Sequence, residues 1–416
     1  MYLNGSKWSY HRRRRRPNPL RILLLIGLVS AALYVNQVVV PATPPLFIPT
    51  PTPTRSPESF ISEAEKYYAD GKFLQAISSY RAAIQADPQN PANHLALARV
   101  LIFNGEYEEA TTSAENALLL NPNNSVAHAI RGWGYALRGN YFQAEAAINR
   151  ALEIDPNNAI AHAIMAETQA LKAQAGQGDL TTQDKAIAAS RRAIELGPDL
   201  FETRRARGMV LEMTGNTEAA IAEFEAAVRM NPNIADLHLA LGRNYRAMQI
   251  YDKAIEEFTR AAGLRPRDPM PLLLISRTYN EAGVFALAIQ YGQQAIKANP
   301  TDPFLYGNLG QAYYRSRTSP TETIRYLGLA VRGGVNEDGV AVEGLPLDYG
   351  RVAEYYYMLG LTLARQGMCG EALQISQLLV DGVPNDTVAL YNAQEMVDIC
   401  QEIMQAGGLP TGTPEP

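Results

Sequence analysis

The chain has 416 residues, 47% of them hydrophobic and 19% charged, with two cysteines and a formal net charge of −5. That apolar share excludes wholesale disorder; two thiols exclude a disulfide framework or a four-thiolate zinc module; the acidic balance argues against a nucleic-acid binder. The balance is uneven, because residues 1–22 carry Lys7, Arg12 to Arg16 and Arg21 with no acid, which leaves the remainder at −12.

The N-terminal segment reads as an address. A pentaarginine run, Arg12 to Arg16, precedes Ile22 to Val40, a stretch of 19 residues without a charge. As a helix it spans roughly 28 Å, close to the ~30 Å apolar core of a bilayer. Arginines on one flank hold that flank in the cytoplasm. The leading expectation is a single-pass signal anchor, with residues 1–21 as a cytoplasmic tail and the C-terminal bulk extracytoplasmic. A cleaved signal peptide, using Ser30-Ala31-Ala32, and a buried core helix are the alternatives. Basic runs also occur in nucleic-acid binders, but beside an apolar 19-mer topology explains the arginines better. Residues 41–56 are rich in proline and threonine. Proline removes donors and favours an extended spacer, so this segment reads as a linker.

From residue 57 onward the chain repeats itself. Pro88, Pro122 and Pro156 lie 34 apart, as do Pro198, Pro232, Pro266 and Pro300. Ala76, Ala110, Ala144, Ala186, Ala220, Ala254, Ala288 and Ala372 fall twelve residues before a landmark proline, Pro384 included, and a second alanine, from Ala83 to Ala295, falls five before every one but Pro384. Gly71, Gly105, Gly139, Gly215, Gly283 and Gly367 fall seventeen before. Proline stops a helix, glycine suits a bend between helices, and small alanines let helices approach closely. Apolar positions recur at three and four, as in Ala76, Ile77, Tyr80, Ala83 and Ile84, which is a helical stripe. The unit is therefore two antiparallel helices per 34 residues.

The period and its landmarks resemble the tetratricopeptide repeat family. The sixth unit shows them as His238, Leu241-Gly242, Tyr245, Ala254, Phe258, Ala261 and Pro266. The resemblance implies an all-α fold, a right-handed solenoid of helical hairpins, here preceded by one transmembrane helix and a Pro-rich linker. Nine repeats are expected within 57–403, closed by a capping helix 387–403, with 404–416 a disordered tail. The fourth repeat carries an insertion around Gly176 to Asp179. The eighth, 303–337, loses its landmarks, and a loop, 338–352, precedes the ninth.

His94, His128, His162 and His238 suggest a metal cluster at first sight, but all occupy the fourth position of their repeats. Stacked repeats would hold them roughly 10 Å apart, too far for one metal. No nucleophile-elbow, phosphate-loop or zinc-protease motif is present. The reading is of a protein that is not an enzyme, with no cofactor and no metal.

The resemblance further implies a concave groove, lined by first helices, that takes protein or peptide segments. Groove places fall on Leu95, Arg99, Phe103, Trp133, Arg205, Met209, Arg243, Arg246, Leu273, Arg277 and Tyr314. These predict an apolar early groove around Trp133 and a ladder of arginines suited to acidic partner segments. Two alternatives stand beside that: arginines paired with neighbouring glutamates, and apolar places buried by superhelical packing. The lysine and asparagine set of the family's carboxylate-clamp variant is missing. Cys369 opens the second helix of the ninth repeat and Cys400 lies late in the cap, so the two thiols could meet; a disulfide and two unpaired core cysteines both remain open. The leading function is a membrane-anchored scaffold in a cell-envelope complex, with no nucleic acid expected. The alternative is an accessory or regulatory subunit of an envelope enzyme such as a wall-polymer or glycan synthase.

Overall fold

The computed structural model describes residues 18–39, 55–405 and 407. Contacts divide the chain into two units, Met1–Ser56 and Pro57–Pro416. In the first, Asn18 caps a helix by accepting from the Leu20 amide at 3.1 Å. The helix runs Pro19–Tyr34 and continues as a π-helical turn, Val35–Val39. Pro19–Val38 has a mean hydropathy of 1.8 and is long and apolar enough to cross a membrane, a test that a signal sequence also passes. The arginine run Arg12 to Arg16, Val40, residues 41–54 of the proline-rich segment and most of the C-terminal tail lie outside the described residues.

The second unit is a stack of helical hairpins, as the repeat pattern predicts. The pairs are Pro57–Ala69 with Phe73–Ala86, Pro91–Asn104 with Tyr107–Leu120, and Ser125–Leu137 with Tyr141–Ile154. Next come Ala159–Gln174 with Thr182–Leu196, Phe201–Met213 with Thr217–Met230, and Ala235–Ala247 with Tyr251–Leu264. The last three are Pro269–Glu281 with Phe285–Ala298, Pro303–Ser316 with Pro320–Arg332, and Arg351–Arg365 with Cys369–Gly382. A single helix, Thr387–Gln405, follows.

The turn residues do more than stop a helix. In Asp87-Pro88-Gln89-Asn90 the preceding helix ends at Ala86, and Asn90 caps the next by accepting from the Ala92 amide at 3.0 Å. Asn124, Asn158, Asp268 and Asp302 repeat that cap on their own helices. Such a side-chain oxygen satisfies one of the orphan amides at a helix start. The alanine register is fully buried at every position from Ala76 to Ala372, so it is the close-contact seam between helices. Gly105 ends its helix at φ 88°, the left-handed cap its register predicts. Where the sixth and eighth repeats lack that glycine, Gln249 and Arg317 take φ 60° and 55° in its place.

The eighth repeat departs from expectation. Its second helix stops at Arg332, because Gly333 adopts φ 73° and Gly334 φ 141°. The connection to the ninth repeat thus begins at 333 rather than 338. It holds a two-residue antiparallel hairpin, pairing Gly334 with Val342 and Val335 with Ala341.

Candidate functional site

The first helices of repeats one, two, three and five meet around Phe103. Its ring is edge-on to Trp133 at 5.7 Å and to Phe201 at 5.1 Å, and stacked on Tyr68 at 6.0 Å. Trp133 is wholly buried and donates from Nε1 to Glu167 Oε1 at 3.0 Å. Arg205, from the fifth repeat, donates to the same carboxylate from Nε at 3.1 Å and from Nη2 at 2.9 Å, and its guanidinium lies over the Trp133 ring. Burial disfavours the charge on Arg205, but the carboxylates of Glu167 and then Asp236 outweigh it and raise the pKa above the ordinary arginine value. Arg99 pairs with buried Glu202 at 2.6 Å and lies over Phe103.

Contacts across several repeats complete the closure. Arg265 of the sixth repeat donates to Asp236 at 2.7 Å and to the Phe103 carbonyl at 3.3 Å. The Tyr107 hydroxyl donates to Asp236 at 3.4 Å. The Asn233 amide reaches the Asp70 carbonyl at 3.5 Å. Beside this cluster lies a small cavity of about 220 Å³, lined in part by Tyr107, Arg205, Met209 and Arg243.

The open apolar groove expected around Trp133 is therefore filled by the protein's own side chains. Phe103, Trp133, Arg205 and Met209 are buried. Leu95 packs half-buried against Ala117, Leu118 and Ala127, and Leu273 is core beside Ala295 and Leu305. The physical reason is the curvature of the stack: it brings the second repeat against the fifth and sixth, and desolvating a cluster of aromatic rings favours that closure.

Repeats six to nine differ. Arg243 grips Glu212 with a two-point contact at 3.0 and 3.2 Å, yet its side chain stays 37% exposed. Arg246 has Glu281 at 3.7 Å. Arg277 donates from Nε to Asn308 Oδ1 at 2.6 Å, and Arg351 donates to that same oxygen at 3.3 Å. Tyr314 accepts from Arg365 at 3.4 Å. A cleft of about 460 Å³ lined by Arg243, Arg246, Tyr251 and Arg315 adjoins one of about 840 Å³ lined by Phe285, Tyr314, Arg317 and Arg365; the two share Glu281 and Arg315. Of the residues read from sequence, the structure thus gathers Arg243, Arg246, Arg277 and Tyr314 in one region of the stack.

Sequence reasoning passed over Arg315, Asn308, Arg351 and Tyr355, whose hydroxyl accepts from Asn308 Nδ2 at 2.8 Å. Arg315 sits at a groove place of the eighth repeat and was legible by the same counting. Arg351 follows the irregular connection, where the register had been lost.

The four histidines do structural work. His128, His162 and His238 each bond through Nε2 to the carbonyl of the proline six residues earlier, at 3.0, 3.0 and 2.8 Å. In the eighth repeat the Tyr306 hydroxyl does the same to Pro300 at 2.8 Å. His238 also meets Glu257 through Nδ1 at 2.5 Å. At the far end Cys369 and Cys400 are joined as a disulfide, with their Cα atoms 5.5 Å apart.

Family models described as tetratricopeptide repeat match residues 67–134, 125–158, 183–234 and 239–303. No curated protein matches in sequence. Among solved structures, a human IFIT1 dimer with PPP-AAAA is 16% identical, with 84% of this chain and 83% of that one covered and a TM-score of 0.53. A monomeric mutant of IFIT1 with Gppp-AAAA is 15% identical, with 82% and 79% covered and a TM-score of 0.54. A tetratricopeptide repeat protein from Parabacteroides merdae ATCC 43184 is 17% identical, with 62% and 98% covered and a TM-score of 0.38. At these identities the likeness to IFIT1 concerns the fold. The matched repeats and the stacked hairpins agree: the chain carries tetratricopeptide repeats, arranged as one solenoid.

Proposed function

We propose that the chain is a membrane-anchored scaffold that holds protein partners at the cell envelope through the first helices of repeats six to nine, and that it performs no chemistry itself. The observation that carries this reading is the contrast within the stack. Around Trp133 the first helices of repeats one to five close on their own side chains, and the cleft of about 630 Å³ in repeats two and three lies at the helix turn by Gly105 and Tyr107, while repeats six to nine leave clefts lined by Arg243, Arg246, Tyr314 and Arg315 open to a ligand. Stacked repeats suit this role because each contacts mainly its neighbours and leaves an extended surface. Arginines among tyrosines recognise acidic, partly apolar segments through charge-assisted bonds and ring contacts.

In this reading the segment Ile22 to Val40 anchors the chain, residues 1–21 stay in the cytoplasm, and 41–56 link the anchor to a solenoid outside. The Cys369–Cys400 bond supports that placement, since disulfides persist outside the reducing cytoplasm. A C-terminal reporter active only in the cytoplasm should remain silent; activity would overturn the placement.

Site-specific photo-crosslinking in native membranes tests the binding role. A crosslinker at Tyr314 should capture defined protein products, and one at exposed Phe142 on the third repeat should not. Identical products from both positions, or none from Tyr314, would contradict the reading. Capture of one stoichiometric enzyme would identify the scaffold as that enzyme's accessory subunit.

A further inference from the structure

Four observations converge on one place in repeats six to nine. Arg277 and Arg351, from the first helices of repeats seven and nine, have neutral partners in common: both donate to Asn308 Oδ1, and both are hydrogen-bonded to the Tyr355 side chain. No carboxylate pairs with either among the described residues. Arg246, from repeat six, has only Glu281 at 3.7 Å, and its Nη1 is buried with no partner. Asn280, 6% exposed, lines the adjoining cleft with its Oδ1 also unpartnered, an acceptor suited to a backbone N–H of a bound segment and not to its carboxylate.

The three cations feel one another. Burial pushes the Arg277 guanidinium below its ordinary pKa, Arg351 and Arg246 push it further, and Tyr355 opposes them in part. Burial does the same to Arg246; Glu281 opposes this, and Arg351 and Arg243 add to it. Arg351 also opens its helix, where the aligned peptide dipoles disfavour a cation. Arg246 and Arg277 are half-buried and Arg351 is exposed, and one carboxylate, Glu281, stands against three cations, which is an unfavourable arrangement for a free surface. An anion would remove the conflict: one guanidinium fork can offer two parallel donors to a planar carboxylate, and the other two can each add a single charge-assisted bond.

We infer that Arg246, Arg277 and Arg351 form a seat for one carboxylate of an extended acidic segment of a partner protein. The inference rests on the groove-binding reading above and specifies its chemistry. A peptide fits better than a free anion because Arg246 lines the smaller cleft, which meets the larger at Glu281 and Arg315, and together they have room for several residues. Phe285 and Tyr314 in the larger cleft would receive an apolar neighbour of the acid.

The test uses the full chain in lipid nanodiscs and two capped octapeptides, one alternating glutamate with leucine and the other glutamine with leucine. Wild type should bind the glutamate peptide about tenfold more tightly than the glutamine peptide, the scale of a charge-assisted contact. The Arg277→Gln/Arg351→Gln variant should lose that preference and still bind both weakly. Its thermal midpoint should stay level or rise, because like-charge crowding is relieved. Arg351→Gln alone, at an exposed helix start, should weaken the preference without touching the fold. Preference retained in both variants would overturn the seat while leaving groove binding intact. Failure of wild type to bind either peptide would overturn both. Inorganic phosphate stabilising wild type, with no glutamate preference, would make this a free-anion site and overturn the peptide assignment.

Discussion

Arg205 and Glu167 form a two-point ion pair between the fifth and fourth repeats, and both side chains are withdrawn from solvent. Trp133 donates to the same carboxylate, so one acid ties together three successive first helices. A buried charge left without its partner is strongly destabilising, by about 3 to 5 kcal/mol, whereas replacing both partners with apolar side chains of similar volume costs far less. Glu167→Gln should therefore destabilise the early repeats by that order, and Arg205→Met/Glu167→Met should recover most of it. Denaturant unfolding followed by tryptophan fluorescence measures both. Equal losses in the single and double variants would show that the pair does not act as a unit.

Gln249 and Arg317 occupy left-handed backbone at the bend where other repeats place glycine. Left-handed backbone is strained for a residue with a Cβ, while glycine carries its own entropic cost in the unfolded chain. The balance predicts that Gln249→Gly and Arg317→Gly each stabilise by about 0.5 to 1 kcal/mol. Thermal unfolding of each variant checks the sign; a lowered midpoint would contradict it.

These bends show how much could be read from sequence. The period, the buried alanine seam and the glycine caps were all legible, because each is a local requirement recurring at a set spacing. The closure of the early repeats was not. It depends on small rotations summed over several repeats, which bring Phe103 to Phe201 and Arg265 to the Phe103 carbonyl. The arginine ladder was legible as a list but not as a surface. Arg205 turned inward to Glu167, while Arg277 met Arg351, a residue beyond the connection where counting failed.

The disulfide between Cys369 and Cys400 spans a sequence separation of 31 and ties the ninth repeat to the last helix. Chain-entropy arguments put its contribution at about 3 to 4 kcal/mol. Protein purified without reductant should show no free thiol under denaturing conditions, and Cys369→Ser/Cys400→Ser should melt first at its C-terminal end. Two titratable thiols in the unreduced protein would contradict the bond.

Two of the fourth-position histidines predict an acid response. Burial lowers the pKa of His94 and His128; hydrogen bonds to the Pro88 and Pro122 carbonyls oppose this, and Arg131 and Arg150 lower His128 further. The folded state thus holds these rings neutral, while the unfolded chain takes up protons below about pH 6.5. Their contribution is present above that pH and is lost as pH falls toward the depressed folded values. His94→Gln/His128→Gln should show a shallower loss of stability between about pH 6.5 and 5 than wild type. An unchanged slope would locate the acid sensitivity elsewhere.

The central claim is that ligand-accessible surface lies in repeats six to nine, because the earlier groove is filled from within. Hydroxyl-radical footprinting of the full chain in nanodiscs tests it directly, since side-chain oxidation reports solvent access. Met270 is 45% exposed and Met209 6%. The account predicts rapid oxidation of Met270 and Phe304, with Met209 and Trp133 protected until the protein unfolds. Oxidation of Met209 and Trp133 at the rate of Met270 would mean that the early groove is open, and would contradict it.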